Sequence, residues 1–322
     1  MSDLVLNRHN LFLSRSTKGG ENTELTADEA VEHFIRESLS KNTRKAYRSD
    51  LAHFTEWGGS LPAIAEMVAR YLADHAEALA PSSLARRVAT LSKVHEANGW
   101  PNPCRSEIVR ATMRGIKRVK GTAQHQARPL LREDLFILLD ALGDDPRAKR
   151  DHALLLIGWA GGFRSSELIG LDLGEFEEVR EGLVLHLRRS KTDQTGQGRK
   201  IGIPLGRTRH CPVAALSAWL GVLNKDEGPI FRPVDRHGNV QPDRLRSDAV
   251  STILRNRLAD AGIDPESYSG HSLRAGLATS AIKAGVPPHK VRAQTGHASD
   301  LMLSRYVRDA GLFDRNAAGA LL

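Results

Sequence analysis

Seven residues, Gly121-Thr122-Ala123-Gln124-His125-Gln126-Ala127, carry no apolar periodicity and separate two stretches of chain that do. Such a break reads as an exposed linker. A chain of 322 residues exceeds one typical domain, so the break sets the expected organisation. A tail covers 1–21, a helical domain 22–120, the linker 121–128 and a second domain 129–322.

Before the break the pattern is helical. Behind Thr43, the residues Tyr47, Leu51 and Phe54 recur at spacings of three and four and share a face, with Trp57 closing the segment. Gly58-Gly59 stops it. Ile64, Met67, Val68 and Tyr71 form the next apolar face. Pro81-Ser82 opens a third helix carrying Leu84, Val88, Leu91 and Val94, which Asn98-Gly99 ends. A fourth helix runs from about 105 to 119. After the break helices mix with a strand region: 183–187 and 200–204 are short strand candidates on either side of a polar turn. Helices resume at about 211–223, 246–262, 272–284, 288–295 and 299–308. The expected fold class is mainly α with a small antiparallel β-sheet, in two domains, the first helical and the second α+β.

Charge narrows the function. The net charge is +8 and the pI about 9.7, a balance that attracts phosphate backbones. The basic residues cluster. Lys41, Arg44, Lys45 and Arg48 lie on one helix and Arg86, Arg87 and Lys93 on another, while Arg110, Arg114, Lys117, Arg118 and Lys120 crowd the fourth. Few acids interleave the last two groups, which points to phosphate binding. No run of 18 apolar residues occurs and the N-terminus lacks the features of a signal peptide, so a soluble cytoplasmic protein without membrane partners is expected. Cys104 and Cys211 stand far apart and read as reduced thiols. With no grouped metal ligands, no glycine-rich nucleotide loop and no tight carboxylate cluster, no metal or cofactor is expected.

Three constellations carry chemistry. In Gly161-Gly162-Phe163-Arg164-Ser165-Ser166-Glu167-Leu168 an apolar helix ends at two glycines, which allow a sharp turn. Arg164 then opens the next helix, with Glu167 one turn on to orient it. In Gly270-His271-Ser272-Leu273-Arg274 the histidine and arginine are three apart and share a helix face. Gly296-His297 follows, with Tyr306 nine residues later.

The ordered set Arg164, Lys191, His271, Arg274, His297 and Tyr306, with the lead-in Arg150-Asp151-His152-Ala153-Leu154, resembles the tyrosine site-specific recombinase (phage integrase) family from about residue 22 to the C-terminus. The resemblance implies a core-binding domain followed by a catalytic domain, and a site that cuts and rejoins DNA through a 3′-phosphotyrosine on Tyr306, with neither ATP nor metal. Arg164 and Arg274 would hold the non-bridging oxygens, because paired guanidinium donors match a phosphate that gains charge during attack. His271 and His297 would add hydrogen bonds, and His271 could take the tyrosine proton. Lys191, in the turn after the first strand, matches the family lysine that protonates the leaving 5′-oxygen, with Lys200 as the alternative. The helix at 246–262 would enter the major groove, where Ser251, Thr252 and Arg255 could read bases, and Arg244 and Arg246 could contact phosphate or guanine. The implied partners are double-stranded DNA bearing an inverted-repeat recombination site and three further copies in a tetramer. The apolar residues after Tyr306 would dock onto a neighbouring copy or onto their own domain. A type IB topoisomerase and a non-catalytic DNA-binding regulator remain the competing readings.

Overall fold

The computed structural model describes residues 38–122, 127–187, 198–297, 299, 303 and 304, apart from the side chain of Lys41. The chain divides into two compact units, Met1–Gln124 and His125–Leu322.

The described part of the first unit is helical throughout. Helix α1 spans Lys41–Glu56, α2 Ala65–Asp74, α3 Pro81–Asn98 and α4 Glu107–Lys120, which follows a short 3₁₀ turn at Pro103–Arg105. Helix α1 begins two residues before Thr43, because the Ser40 hydroxyl accepts the Thr43 N–H at 3.1 Å and caps the first turn. Pro81 sits in the first turn of α3, and Gly99 ends that helix with a left-handed φ of 69°. The inward faces meet in a core that includes Phe54, Tyr71, Leu72, Leu84, Leu91 and Val109. One carboxylate lies among them: buried Asp50 accepts Arg86 at 2.8 and 3.0 Å and the Thr90 hydroxyl at 3.0 Å, joining α1 to α3.

The second unit is built around α6, Pro146–Gly161. Asp145 caps it by accepting the N–H groups of Arg147 and Ala148 at 2.8 and 3.2 Å, which turns the Asp144-Asp145-Pro146 corner into a helix start. Leu154, Leu155, Leu156 and Ile157 are consecutive and all buried, so α6 is surrounded on every side rather than amphipathic. Around it stand α5 (Arg132–Asp140), α7 (Ser165–Gly170), α8 (Pro212–Leu223), α9 (Ala249–Asp260), α10 (His271–Lys283) and α11 (Pro288–Thr295). A three-stranded antiparallel sheet in the order β1 (Phe176–Val179), β2 (Gly182–Leu187), β3 (Arg199–Pro204) packs its apolar side chains into the same core. Strand β1 has no apolar alternation in its sequence; among the described residues it is an edge strand paired to β2, and it is mostly exposed. Helix α9 is shorter than the expected 246–262. Arg246 pairs with Asp248 ahead of it, and Gly262 stops it at a φ of 74°.

The Arg150-Asp151 lead-in is structural. Both residues are buried, and Asp151 receives Arg150 at 2.6 Å on one oxygen and Arg257 of α9 at 2.8 Å on the other. One carboxylate thus fastens α9 to the central helix.

Candidate active site

Three backbone corners converge. The first follows α6, where Gly162 adopts a left-handed φ of 60° and the chain turns through buried Phe163 into Arg164 at the start of α7. A side chain at Gly162 would meet Thr295 and Leu277 within 3 Å, so conformation and space both require glycine. The second corner is the start of α10 at His271. Here a Cβ on Gly270 would lie 2.3 Å from the Ser165 hydroxyl, which is how the glycine of the 270–274 box lets α10 approach α7. The Ser251 hydroxyl accepts the Gly270 N–H at 2.9 Å and adds α9 to this junction. The third is the end of α11, where Gly296 turns the chain with a φ of 67° into His297.

The side chains fix these corners to one another. Arg274, 1% exposed, donates to the Gly162 carbonyl at 2.8 Å and also to the Thr295 carbonyl. Glu167 accepts the backbone N–H of Arg164 at 3.0 Å and its guanidinium at 2.5 Å, the orienting role that the spacing predicts. Arg164 also reaches the Gly296 carbonyl at 3.4 Å. His297 is buried, with Nδ1 2.7 Å from the Thr295 hydroxyl. His271 remains accessible at the rim.

A third guanidinium enters from the sheet. Arg199, the first residue of β3, donates to the Gln294 carbonyl at 3.1 Å and lies 3.5 Å from Glu167. It ties the strand that leaves the hairpin to the helix that delivers His297. Sequence reasoning passed over Arg199, because a lone basic residue in a polar turn has no periodicity to mark it. The available signal was the alternation in Arg199, Ile201 and Ile203, which places all three on one strand face. Lys200 points the other way and is exposed, so the pleat argues against the alternative lysine. Lys191 and Tyr306 lie outside the described residues, as do the tail and the segment after Tyr306.

The electrostatics follow from burial among cations. Loss of hydration is the first cause that pushes His297 down to about 3, followed by the charges of Arg274 and Arg164. His271 is lowered in the same way, by partial loss of hydration and then by Arg274 and Arg164. The fold therefore holds both rings neutral at pH 7. Below the unfolded value of 6.5 the unfolded chain binds protons that the folded one refuses, so stability falls as pH drops from 6.5 toward 3. Thermal unfolding across that range should show the loss, and His297→Gln should flatten part of it; a profile that is flat from 6.5 to 4 in the parent chain would contradict it.

Several residues expected to face DNA have internal partners. Arg244 donates to the carbonyls of Ile169 and Leu171 at 2.7 and 3.3 Å and to Asp172 at 2.5 Å, which closes the end of α7. Arg87 is largely buried, donating to the Tyr71 hydroxyl at 2.5 Å, and Arg86 is held by Asp50. The acids that flank these groups pair with them: Glu96 with Lys93 at 3.1 Å and Arg105 at 3.0 Å, and Glu107 with Arg114 at 2.5 Å and Arg110 at 3.5 Å. The Ser251 hydroxyl serves Gly270, and Arg255, though exposed, donates to the Tyr268 carbonyl at 2.7 Å. Lys45, Lys117, Arg118, Arg246 and Thr252 are exposed; Arg44 is half-buried. Lys41 opens α1. Among the described residues no helix is long and apolar enough to cross a membrane.

Comparison with known proteins adds to this geometry. Residues 129–311 match the model of the phage integrase family, and residues 31–99 match the phage integrase N-terminal SAM-like domain. The chain is 35% identical over 293 residues to an integrase/recombinase XerD homolog of Selenomonas ruminantium, covering 88% of this chain and 86% of that one. It is 23% identical over 316 residues to the Cre recombinase of Escherichia phage P1, covering 89% and 91%. Among solved structures, XerH site-specific recombinase bound to palindromic difH substrate in a post-cleavage complex aligns with a TM-score of 0.62 at 18% identity, covering 91% of this chain and 82% of that one. A lambda integrase tetramer bound to a Holliday junction aligns with a TM-score of 0.63 at 18% identity, covering 90% and 79%. The likeness to these structures is one of fold.

Proposed function

This chain belongs to the phage integrase family, and on that premise we propose that it is a site-specific DNA recombinase that cuts and rejoins strands through a covalent bond from Tyr306 to a 3′-phosphate. The observation that carries the reading is the convergence of Arg164, His271, Arg274 and His297 where the end of α6 and the end of α11 meet the start of α10. Two guanidinium groups are held in place, Arg274 on the Gly162 and Thr295 carbonyls and Arg164 on the Glu167 carboxylate, and their fixed aim suits the developing charge on a phosphoryl group in transfer. Neutral imidazoles beside them supply hydrogen bonds and a proton acceptor. Lys191 protonates the leaving 5′-oxygen. One phosphodiester is exchanged for another, so the bond energy is retained and no nucleotide is consumed.

The residues 22–120 and 129–322 act as core-binding and catalytic domains joined by the 121–128 linker. The substrate is double-stranded DNA with inverted half-sites, and four copies assemble on a pair of sites. The exposed basic residues Lys45, Lys117, Arg118 and Arg246 position the backbone, and Thr252 on the solvent face of α9 reaches base edges.

The test is covalent trapping on nicked fragments from the gene's own neighbourhood, run beside the Tyr306→Phe variant on a denaturing gel. A DNA–protein adduct formed only with tyrosine is expected. Equal adducts from both proteins, or specific binding without any adduct, would overturn the reading. Relaxation of supercoils by a strictly monomeric protein would replace recombination with topoisomerase activity.

A further inference from the structure

Arg199 stands where an apolar side chain would be expected. Along β3 the residues Arg199, Ile201 and Ile203 share the inward face, and the two isoleucines are buried. The Arg199 side chain is only 21% exposed, and its Nε is buried without a hydrogen-bond partner among the described residues. Loss of hydration lowers Arg199 from its usual value; Glu167 opposes that shift and Arg164 adds to it. Holding a cation in such a place is unfavourable unless its charge is used. The seam between β3 and α11 does not need it. Gln294 already closes that seam, its Nε2 donating to the Gly202 carbonyl at 3.1 Å and to the Ala160 carbonyl at 3.0 Å.

What the charge adds is found at Glu167, whose side chain is 3% exposed and shared by two arginines. One carboxylate oxygen accepts the Arg164 guanidinium at 2.5 Å. The other accepts the Arg164 backbone N–H at 3.0 Å and lies 3.5 Å from Nη2 of Arg199. By themselves Arg164 and Glu167 sum to zero formal charge, so the carboxylate that aims Arg164 also cancels it. Arg199 leaves the three groups with one positive charge in excess. It also supports the turn beside them. Its Nη1 donates to the Gln294 carbonyl at 3.1 Å, and a Cβ on Gly296 would fall within 3 Å of that nitrogen. The carbonyl of the same Gly296 meets Arg164 at 3.4 Å.

We infer that Arg199 is a positioning residue for Arg164: by sharing the Glu167 carboxylate and backing the Gly296 turn, it lets Arg164 present both a fixed aim and an uncancelled charge to a bound phosphate. The inference rests on the recombinase reading and goes further into the same site. The role is indirect, since Arg199 acts on the phosphate through Glu167 and Arg164.

The experiment uses the full chain with ¹⁵N-labelled histidine and inorganic phosphate as the probe. The ring signals of His271, assigned by their loss in His271→Gln, report phosphate entering the site. Arg199→Gln keeps a donor for the Gln294 carbonyl and removes the charge. It should weaken phosphate binding by roughly 10-fold, as loss of a nearby unit charge in a partly buried site does. It should also slow single-turnover cleavage by roughly 10- to 100-fold, because a small misplacement of a reacting group costs up to about 100-fold, while affinity for the DNA site changes far less. Arg199→Lys keeps the charge without the planar fork, so it should bind phosphate more tightly and cleave faster than Arg199→Gln. With Glu167→Gln already in place, Arg199→Gln should have a smaller effect, because the shared carboxylate is gone. Thermal unfolding of each variant identifies any loss that is one of fold. A simple structural tie predicts the opposite order, with Arg199→Gln close to the parent. An Arg199→Gln protein that matches the parent in phosphate binding and cleavage, or an Arg199→Lys protein no better than Arg199→Gln, would overturn the inference. So would full additivity with Glu167→Gln, or a parent His271 that phosphate leaves unmoved. If the parent chain forms no adduct with DNA, the recombinase reading fails, while the phosphate titration still decides the role of Arg199.

Discussion

Arg274→Ala lowers the single-turnover rate of strand cleavage by roughly 10³-fold or more, the scale on which a transition-state arginine acts in phosphoryl transfer, while DNA affinity changes far less. The reason is the setting of the side chain. Arg274 is 1% exposed in the first turn of α10, and its guanidinium reaches the Gly162 carbonyl at 2.8 Å and the Thr295 carbonyl. Carbonyl partners orient a cation without cancelling its charge. The two carbonyls also belong to the corners that deliver Arg164 and His297, so the same group that would bind phosphate holds its neighbours in register. Arg274→Lys keeps the charge but replaces a planar fork with a single ammonium. It should also fall at least 100-fold, roughly the effect of losing one preorganised donor. Thermal unfolding of both variants separates lost chemistry from lost fold. A well-folded Arg274→Lys protein that cleaves at the parental rate would show that the fork is not needed.

Asp151→Ala destabilises the second unit by about 3–5 kcal/mol, the usual cost of removing one partner from a buried ion pair. Asp151 is 2% exposed and is shared by Arg150 within α6 and Arg257 on α9. Its removal leaves Arg257 with Asp260 at 3.1 Å, whereas Arg150 keeps a 3.4 Å contact to the Arg232 carbonyl. Urea unfolding followed by the fluorescence of Trp159 and Trp219, which lie on α6 and α8, should show the midpoint fall. A loss below about 1 kcal/mol, the range of exposed pairs, would contradict the buried geometry. Because α9 is fastened through this carboxylate, the surviving folded protein should also bind its DNA site more weakly if α9 lies in the groove.

What the sequence made legible was whatever leaves a local mark. Glycines at sharp corners, the three-residue spacing of His271 and Arg274 and the apolar run of α6 identify the elements that meet at the site. Partners contributed from distant parts of the chain leave no such mark. Arg199 reaches Glu167 only because β3 pairs with β2 in the observed register, Leu187 opposite Arg199, and no local pattern encodes that register. Strand β1 was missed because an exposed edge strand needs no apolar alternation. Charge in sequence likewise does not say which carbonyl or hydroxyl Arg244 and Arg87 will meet. The Arg150-Asp151 lead-in belongs to the family pattern, yet its physical work became visible only with Arg257 placed against it.

The account stands most directly on the identity of the residue that becomes joined to DNA. Digestion of the trapped adduct and mass spectrometry of the nucleotide-bearing peptide measure it. The account predicts a peptide containing Tyr306, modified on the phenolic oxygen by a 3′-phosphorylated nucleotide. A nucleotide on any other residue, or on the 5′ side of the break, would contradict it.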